Sequence, residues 1–355
     1  MKRVVKMLLA LGGLLLLIIV AASAYVYNNM NYDKGAEKRL INAGFTEKQA
    51  ALPDGTALNY GEGPDNGPPL LLIHGQMTSW KDYVNVLPAL SKRFHIFAVD
   101  CHGHGGSSKD PIKYSAAAMG NDFIWFIERV IGEPAIISGH SSGGLLTAWL
   151  AANAPENVRG VVLEDPPFFS TEAGRRETSY AWLDSFEPIH RFLNQDKETD
   201  YARFYLEHTY LQNFFGESWN GIKKYAYSYL DKHPGKGLRI FFLPPSMNRG
   251  FDLITGEYDL RFGDAFYDDT WLMGYDQAET LKKIRCPSVL IHASWSYSKD
   301  GVLLAAMSGE DARRAHELIP GNILVDVKSG HDVHYEKPKE FVRIMLEFLE
   351  SLPAE

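Results

Sequence analysis

Six short, continuous runs of apolar residues recur along the chain, and they limit its possible folds more than any other feature. They do not alternate apolar with polar residues, which is typical of strands buried on both faces of a mainly parallel sheet. Segments with helical spacing separate them. This order predicts an α/β fold with a mainly parallel central sheet flanked by helices. The runs cover residues 70–73, 94–99, 134–138, 161–163, 288–292 and 323–327.

One long segment, residues 166–284, interrupts this order. It shows no regular alternation of strand and helix, and it is rich in aromatic residues. Because a segment of this length is too long for a simple connection between two strands, we predict a mostly helical cap over the carboxyl edge of the sheet. Residues 49–165 and 285–355 then form the core domain.

The first residues of the chain indicate a membrane. Lys2, Arg3 and Lys6 precede an apolar run that extends over residues 7–26. About 20 apolar residues suffice to cross the hydrocarbon core of a bilayer. We therefore predict a membrane anchor in residues 1–27. The basic residues should stay in the cytoplasm, which places the remaining chain on the extracytoplasmic side.

The residues after this apolar run are polar and mixed, and we expect a stalk over residues 28–48. The triplet Ala22-Ser23-Ala24 has the small-x-small form of a signal-peptidase site. A cleaved signal peptide, which would leave a secreted protein, is therefore the alternative to the retained anchor.

Charge and cysteine content exclude several classes of partner. The formal net charge is −8, and no basic stripe could neutralise nucleic-acid phosphates. Cys101 and Cys286 are the two cysteines, and no Cys/His pattern has metal-ligand spacing. We expect unpaired cysteines, no metal, no cofactor, no nucleic acid, and a small-molecule substrate. The oligomeric state is left open.

The segment Gly139-His140-Ser141-Ser142-Gly143 carries the strongest chemical signal. It follows the apolar run 134–138 and opens a helical pattern, as the G-x-S-x-G nucleophile elbow requires. In such an elbow, a tight turn between strand and helix presents the serine hydroxyl. This context predicts Ser141 as a nucleophile.

His331 is the candidate general base. It lies in a Ser-Gly-His segment after the last apolar run and before the last helical pattern, where a base can reach the carboxyl edge of the sheet. The nearby His334 is a second, weaker candidate.

Taken in order, these motifs resemble those of the α/β-hydrolase superfamily, as a serine hydrolase with a large cap insertion. The resemblance implies that the backbone N–H groups of Gln76 and Ser142 form an oxyanion hole. It covers the chain from about residue 52 onward, except for the cap. The motifs are Ile73-His74-Gly75-Gln76, Val99-Asp100, Gly103-His104-Gly105-Gly106-Ser107, the elbow, and Gly330-His331 with Glu336-Lys337-Pro338.

The carboxylate that should orient the base is where the sequence departs from the family pattern. In most relatives it follows the strand that corresponds to residues 288–292, but here Ser296 takes that place. Asp300 lies on the same loop, and Asp165 ends the preceding strand. We favour Asp165, with Asp300 as the alternative, because a strand end positions a side chain more rigidly than a loop.

Together these features predict a carboxylic ester hydrolase that acts through an acyl-enzyme on a small to medium apolar or aryl ester. Carbon–carbon bond hydrolysis, amide hydrolysis and perhydrolysis by the same serine are alternatives, since one scaffold hosts many chemistries. A membrane-tethered binding protein without catalysis is a further alternative. An aspartate-nucleophile dehalogenase or epoxide hydrolase is disfavoured because Ser141 occupies the elbow.

Overall fold

A computed structural model describes residues 2–252 and 256–353. At its centre lies one eight-stranded sheet with the strand order β1-β2-β4-β3-β5-β6-β7-β8. The strands are β1 Thr46–Ala51, β2 Ala57–Glu62, β3 Pro69–Ile73, β4 His95–Val99, β5 Ala135–His140, β6 Val158–Glu164, β7 Ser288–His292 and β8 Ile323–Asp326.

The sheet is mainly parallel, as predicted. β2 pairs antiparallel with both β1 and β4, and every later neighbouring pair is parallel. β3 lies between β4 and β5, so the chain leaves β3 toward one side and later returns to the other. Such a change of direction opens a crevice at the carboxyl ends of the strands, where α/β proteins bind ligands.

The helices cover both faces of the sheet or form the N-terminal segment and the insertion. They are α1 Lys2–Met30, α2 Ala36–Asn42, α3 Leu87–Leu90, α4 Ala116–Phe126, α5 Ser142–Asn153, α6 Glu187–Leu193, α7 Tyr201–His208, α8 Gln212–Phe215, α9 Trp219–Lys232, α10 Pro245–Asp252, α11 Leu260–Tyr267, α12 Gln277–Lys283, α13 Gly309–Leu318, α14 Val333–Glu336 and α15 Pro338–Ser351. Short 3₁₀ or π turns occupy Trp80–Asn85, Pro111–Lys113, Ile127–Ile131, Pro155–Asn157, Arg176–Thr178, Trp182–Phe186 and Gly216–Ser218.

The continuous apolar runs form strands because each run supplies two cores at once. In β3, Leu71 and Ile73 join the core beneath α4 and α5, whereas Leu70 and Leu72 join the core beneath α3 and α15. Successive side chains of a strand point to opposite faces, so a strand covered by helices on both sides needs apolar residues at every position.

Between β6 and β7, the described residues of the insertion form the helices α6 to α12, which confirms the predicted helical cap. Its aromatic residues largely pack on one another. Phe186 stacks on Phe266 with ring centroids 5.1 Å apart, and Trp182 stacks on Tyr267 at 4.7 Å. These rings continue the core beneath α4 and α5, so the cap and the sheet share one apolar interior.

Helix α1 is 29 residues long, apolar enough to cross a membrane, and exposed over its apolar stretch. At about 1.5 Å per residue it is about 44 Å long, more than a bilayer core requires. Its last turns contact the cap: Tyr25 Oη and Asn29 Nδ2 donate hydrogen bonds of 3.0 Å to the carbonyl oxygens of Phe242 and Phe241.

The range expected to be a stalk, residues 28–48, is more ordered than a stalk. It contains the end of α1, all of α2 and the start of β1. Leu40 and Phe45 are buried in the core beneath α3 and α15, which accounts for the order. Cys101 and Cys286 are both free thiols.

Candidate active site

Ser141 lies in a strained turn between β5 and α5. Its backbone has φ +54° and ψ −122°, a conformation that non-glycine residues rarely adopt. The turn is held by the Ser141 N–H, which donates to the Glu164 carbonyl at 2.9 Å. It also depends on close backbone packing, because a Cβ on Gly143 would meet the carbonyl oxygens of Ile73 and His74.

His331 lies on the loop between β8 and α14, and its Nδ1–H donates to Asp165 Oδ2 at 2.7 Å. Asp165 is 2% exposed and adopts φ +43° just after β6. Two further hydrogen bonds fix it: its N–H donates to the Ile291 carbonyl at 2.8 Å, and its Oδ1 accepts from the Ala293 N–H at 3.1 Å.

The second carboxylate weighed from the sequence, Asp300, lies elsewhere. It is exposed on the loop after β7, and its backbone N–H donates to Ser298 Oγ at 3.3 Å. Among the described residues, Asp165 is thus the carboxylate of the two that contacts His331.

His140 connects His331 to the elbow. Its ring lies 4.4 Å from the His331 ring between centroids, and its Nε2–H donates to the His331 carbonyl at 3.2 Å. Because His140 directly precedes Ser141, these contacts hold the His331 loop next to the turn that carries the serine.

The environment of His331 favours its protonated form. Burial alone would lower the pKa of this imidazole, but the hydrogen bond and the negative charge of Asp165 outweigh burial and raise the pKa to about 8. Asp332 and Glu164 add to the same effect. At neutral pH a proton therefore binds His331 more tightly than it binds an ordinary histidine.

The loop after β3, which carries Gln76, packs directly on the elbow. A Cβ on Gly75 would lie 2.8 Å from His140 Nδ1 and 3.0 Å from Ser141 Cβ. The Gln76 side chain points toward the cap, where its Nε2 donates to Tyr258 Oη at 2.7 Å. Its backbone N–H is the group that the resemblance assigns to the oxyanion hole.

Two buried histidines hold this loop. His74 Nε2 accepts from the Cys101 N–H at 3.0 Å, and its Nδ1–H donates to the Gly75 carbonyl at 2.6 Å. His104 Nε2 accepts from the Met77 N–H at 3.2 Å. Burial lowers the pKa of both imidazoles, so both are neutral, and only a neutral imidazole can accept these bonds.

Ser142 is the first residue of α5 and is buried. The backbone N–H groups of the first turn of a helix have no partner within the helix, and they favour negative charge nearby. The loop that carries Gln76 and the start of α5 at Ser142 thus both adjoin the elbow, and their role as oxyanion donors stays a prediction.

His334, the weaker candidate base, is fully buried among carboxylates. Its Nδ1–H donates to both Glu164 oxygens at 2.9 Å, and its Nε2–H donates to Asp82 Oδ2 at 3.1 Å. With both ring nitrogens donating, it cannot accept a proton from Ser141. Sequence reasoning missed this cluster because its partners lie up to 252 positions apart along the chain.

Asp82, His140 and His334 bring potential metal-ligand atoms within 4.8 Å of one another. In the structure both ring nitrogens of His334 face carboxylates, Nδ1 toward Glu164 and Nε2 toward Asp82, so in this hydrogen-bonded arrangement the ring donates at both positions. Burial would lower the pKa of His334, but Glu164 and Asp82 raise it to about 10.

Comparison with known proteins agrees with this architecture. Residues 68–338 match the family model for the alpha/beta hydrolase fold. Bifunctional epoxide hydrolase 2 of Sus scrofa is 26% identical over 302 residues, which cover 81% of this chain and 52% of that protein. The chain thus spans about half the length of this relative. Epoxide hydrolase B of Mycobacterium tuberculosis is 26% identical over 343 residues, covering 81% of this chain and 93% of that protein.

A solved structure extends the likeness to nearly the whole chain. The crystal structure of a membrane phospholipase A, described as a bacterial virulence factor, superposes with a TM-score of 0.61 at 20% identity and covers 99% of this chain and 98% of that chain. At this identity the likeness concerns the fold. On the family match and the architecture described above, the chain belongs to the α/β-hydrolase family and is a hydrolase.

Proposed function

We propose that this chain is a serine hydrolase that cleaves carboxylic esters through an acyl-enzyme on Ser141. The observation that carries the proposal is the 2.7 Å hydrogen bond from His331 to the buried Asp165, on a loop that His140 ties to the elbow. A serine hydroxyl is a poor nucleophile unless a base removes its proton, and a buried carboxylate behind the base orients it.

In this mechanism His331 Nε2 takes the Ser141 proton as the oxygen attacks the ester carbonyl. The negative charge that develops on the carbonyl oxygen is bound by the N–H groups of Gln76 and Ser142; removing one such donor typically costs about 10²–10³ in rate. His331 returns the proton to the leaving alcohol, and water then cleaves the acyl-enzyme by the same steps.

The proposed substrate is a small to medium apolar or aryl ester. The support is the apolar, aromatic-rich cap, which shares its core with the sheet beneath the elbow. Gln76, on the loop next to Ser141, bonds Tyr258 in the cap, so cap residues lie close to the reacting atoms.

The test combines labelling with turnover. A fluorophosphonate probe should label the wild type and not S141A, and a series of p-nitrophenyl esters of graded chain length should show turnover that S141A loses. Failure of the folded wild type both to label and to turn over any ester would instead favour the non-catalytic binding protein. Turnover of amides, or of substrates with a cleavable carbon–carbon bond, at rates above those of esters would favour the alternative chemistries.

Epoxide hydrolysis has to be tested directly, because the two relatives described above are epoxide hydrolases. We disfavour it, since the elbow presents Ser141 where that chemistry would use an aspartate. Styrene oxide incubated with the wild type should yield no diol above the S141A background.

A second candidate substrate is a membrane lipid ester. It is favoured by the exposed apolar helix α1 and by the likeness to a membrane phospholipase A along 99% of the chain. Release of fatty acid from phosphatidylcholine vesicles, compared with turnover of soluble esters by the same detergent-purified protein, distinguishes the two.

We also propose that α1 is retained as an anchor with the hydrolase domain on the extracytoplasmic side.

A further inference from the structure

A buried charge cluster lies beside the proposed catalytic residues. Its core side chains, Asp82, Glu164 and His334, are each no more than 1% exposed. His334 donates to both carboxylates, so the three groups together carry one net negative charge. Buried charge of this kind is strongly unfavourable unless a further partner neutralises it.

That partner comes from the cap. Arg249 of α10 reaches into the core, where its Nη2 forms an ion pair with Asp82 Oδ1 and lies 3.7 Å from Asp332 Oδ2. Its guanidinium stacks 3.8 Å from the centre of the Tyr335 ring. The side chain is 11% exposed, so water screens these interactions only weakly.

Asp332 lies between Arg249 and the proposed active site. It directly follows His331, and its Oδ1 lies 3.4 Å from His140 Nε2. One carboxylate therefore faces the cap arginine with one oxygen and the histidine before Ser141 with the other.

Helix α10 is held in place by the residue next to Arg249. The buried Asn248 accepts from the Ile240 N–H at 2.8 Å, and its Nδ2 donates to the carbonyls of Ile240 and Leu243 at 3.1 and 3.0 Å. The same Nδ2 lies 3.4 Å from the Asn29 carbonyl at the end of α1. The arginine thus projects from a backbone that is already fixed.

We propose that Arg249 is a positioning residue for the His331 loop, joining the cap helix α10 to Asp82 of the core and to Asp332 beside the base. The inference builds on the proposed function, since it assigns Arg249 a part in preparing His331. Arg249 touches neither Ser141 nor His331 in any described contact, and it acts through Asp332.

The charges that face His331 determine how removal of Arg249 changes the His331 pKa. Asp165 and Glu164 face it from the end of β6, Asp332 from its own loop, and His140 from β5. Burial keeps the pKa of His140 well below its ordinary value, so that ring is neutral. Without Arg249, Asp332 loses its countercharge and Asp82 keeps only its bond to His334, so a proton on His331 becomes more stable.

The experiment compares R249M, R249K and, as a matched control, R191M. Arg191 is also a cap arginine, but it is half exposed and pairs with Glu187 at 3.8 Å. The direct readout is an NMR titration of His331 in detergent-solubilised, histidine-labelled protein, assigned with H331Q. This readout does not depend on turnover, so it remains decisive if the proposed ester hydrolysis fails.

We expect R249M to raise the His331 pKa by on the order of one unit, with the acid limb of kcat/KM moving by the same amount. R249K should bring the value back toward wild type, and R191M should leave it unchanged. An unshifted His331 in folded R249M, or an equal shift in R191M, would overturn the proposal.

Because loss of Arg249 leaves the buried cluster with an uncompensated negative charge, R249M also carries a risk of unfolding. D332N serves as the second variant, since Asp332 is 19% exposed and more tolerant of change. It should lower the His331 pKa, and adding R249M to it should raise that pKa by less than R249M does alone. An unchanged His331 pKa in folded D332N would overturn the proposal even where R249M does not fold. Additive effects of the two substitutions would show that Arg249 does not act through Asp332.

Discussion

At the scale of single residues, the site depends on what neighbouring groups do to three histidines. His331 bonds Asp165 and binds its proton more tightly than usual, whereas His334 is enclosed by two carboxylates and stays protonated. His140 is neutral and connects the His331 loop to the elbow that carries Ser141. Histidines within one small region thus have different charge states because their partners differ, and the bond to Asp165 supports the proposal that His331 is the base.

Which of Asp165 and Asp300 orients His331 can be tested by single substitutions. D165N should lower kcat by about 10⁴-fold, because the amide no longer fixes the imidazole in the correct tautomer. It should also move the acid limb of kcat/KM below pH 8, since the charge that raises the His331 pKa is gone. D300N, the control, should change neither quantity by more than about twofold. The reverse outcome would assign the acid to Asp300.

At the scale of elements, the elbow depends on how closely α5 approaches β3. The turn after β5 places the first residues of α5 against the last carbonyls of β3, leaving no room for side chains on the facing glycines. The same approach brings the Gln76 loop against Ser141. The strained Ser141 backbone is therefore a consequence of packing between a strand and a helix.

Gly143 provides the test at this scale. G143A places a methyl group against the fixed carbonyl oxygens of Ile73 and His74. We expect a loss of about 1–3 kcal/mol in the free energy of unfolding and a fall in kcat of at least about tenfold. The matched control is G221A in α9, where an added Cβ meets nothing within 4 Å. Urea denaturation and ester turnover measure both variants, and wild-type behaviour of G143A would refute the packing argument.

Helix α1 gives a second element-scale prediction. If it is retained, the protein should sediment with membranes and show an intact N-terminus by mass spectrometry. Signal cleavage after Ala24 would instead leave Tyr25 as the N-terminus of a soluble protein. Tyr25 and Asn29, which bond the cap carbonyls, both follow the cleavage point. The contacts with the cap are therefore compatible with either form.

At the scale of the whole molecule, two groups of histidines make the stability of the fold depend on pH in opposite directions. Burial lowers the pKa values of His74, His104 and His140, so their contribution to stability is lost as pH falls below about 6.5. Carboxylate partners raise the pKa values of His331 and His334 to about 8 and about 10. The folded chain then holds protons that the unfolded chain has released, and their contribution is lost as pH rises from about 6.5 through these values.

The melting temperature should therefore be highest near pH 6.5 and fall on both sides. Thermal unfolding between pH 5 and pH 10 in constant ionic strength measures it. H334Q should be less stable than the wild type at pH 7, and the difference should shrink toward pH 10, where His334 begins to lose its proton. A melting temperature that rises steadily from pH 7 to pH 9.5 would contradict the assigned charge states.

No continuous apolar run marks β1 or β2, which the structure adds to the sheet. The sequence alone determined the other six described strands, the helical insertion and the elbow. These depend on local patterns: a strand buried on both faces needs uninterrupted apolar residues, and a turn between strand and helix needs glycine on either side of Ser141. The strand bounds in the structure differ from the apolar runs by only a few residues.

Tertiary structure decided which carboxylate contacts His331 and which histidine is enclosed by charge. Asp165 lies 166 positions from His331, and Asp82 lies 252 positions from His334. No local pattern encodes such pairs, because they depend on which strand ends and loops the packed sheet brings together. The contact of Arg249 with Asp82 and Asp332 has the same origin, since it forms only when the insertion folds back over the core.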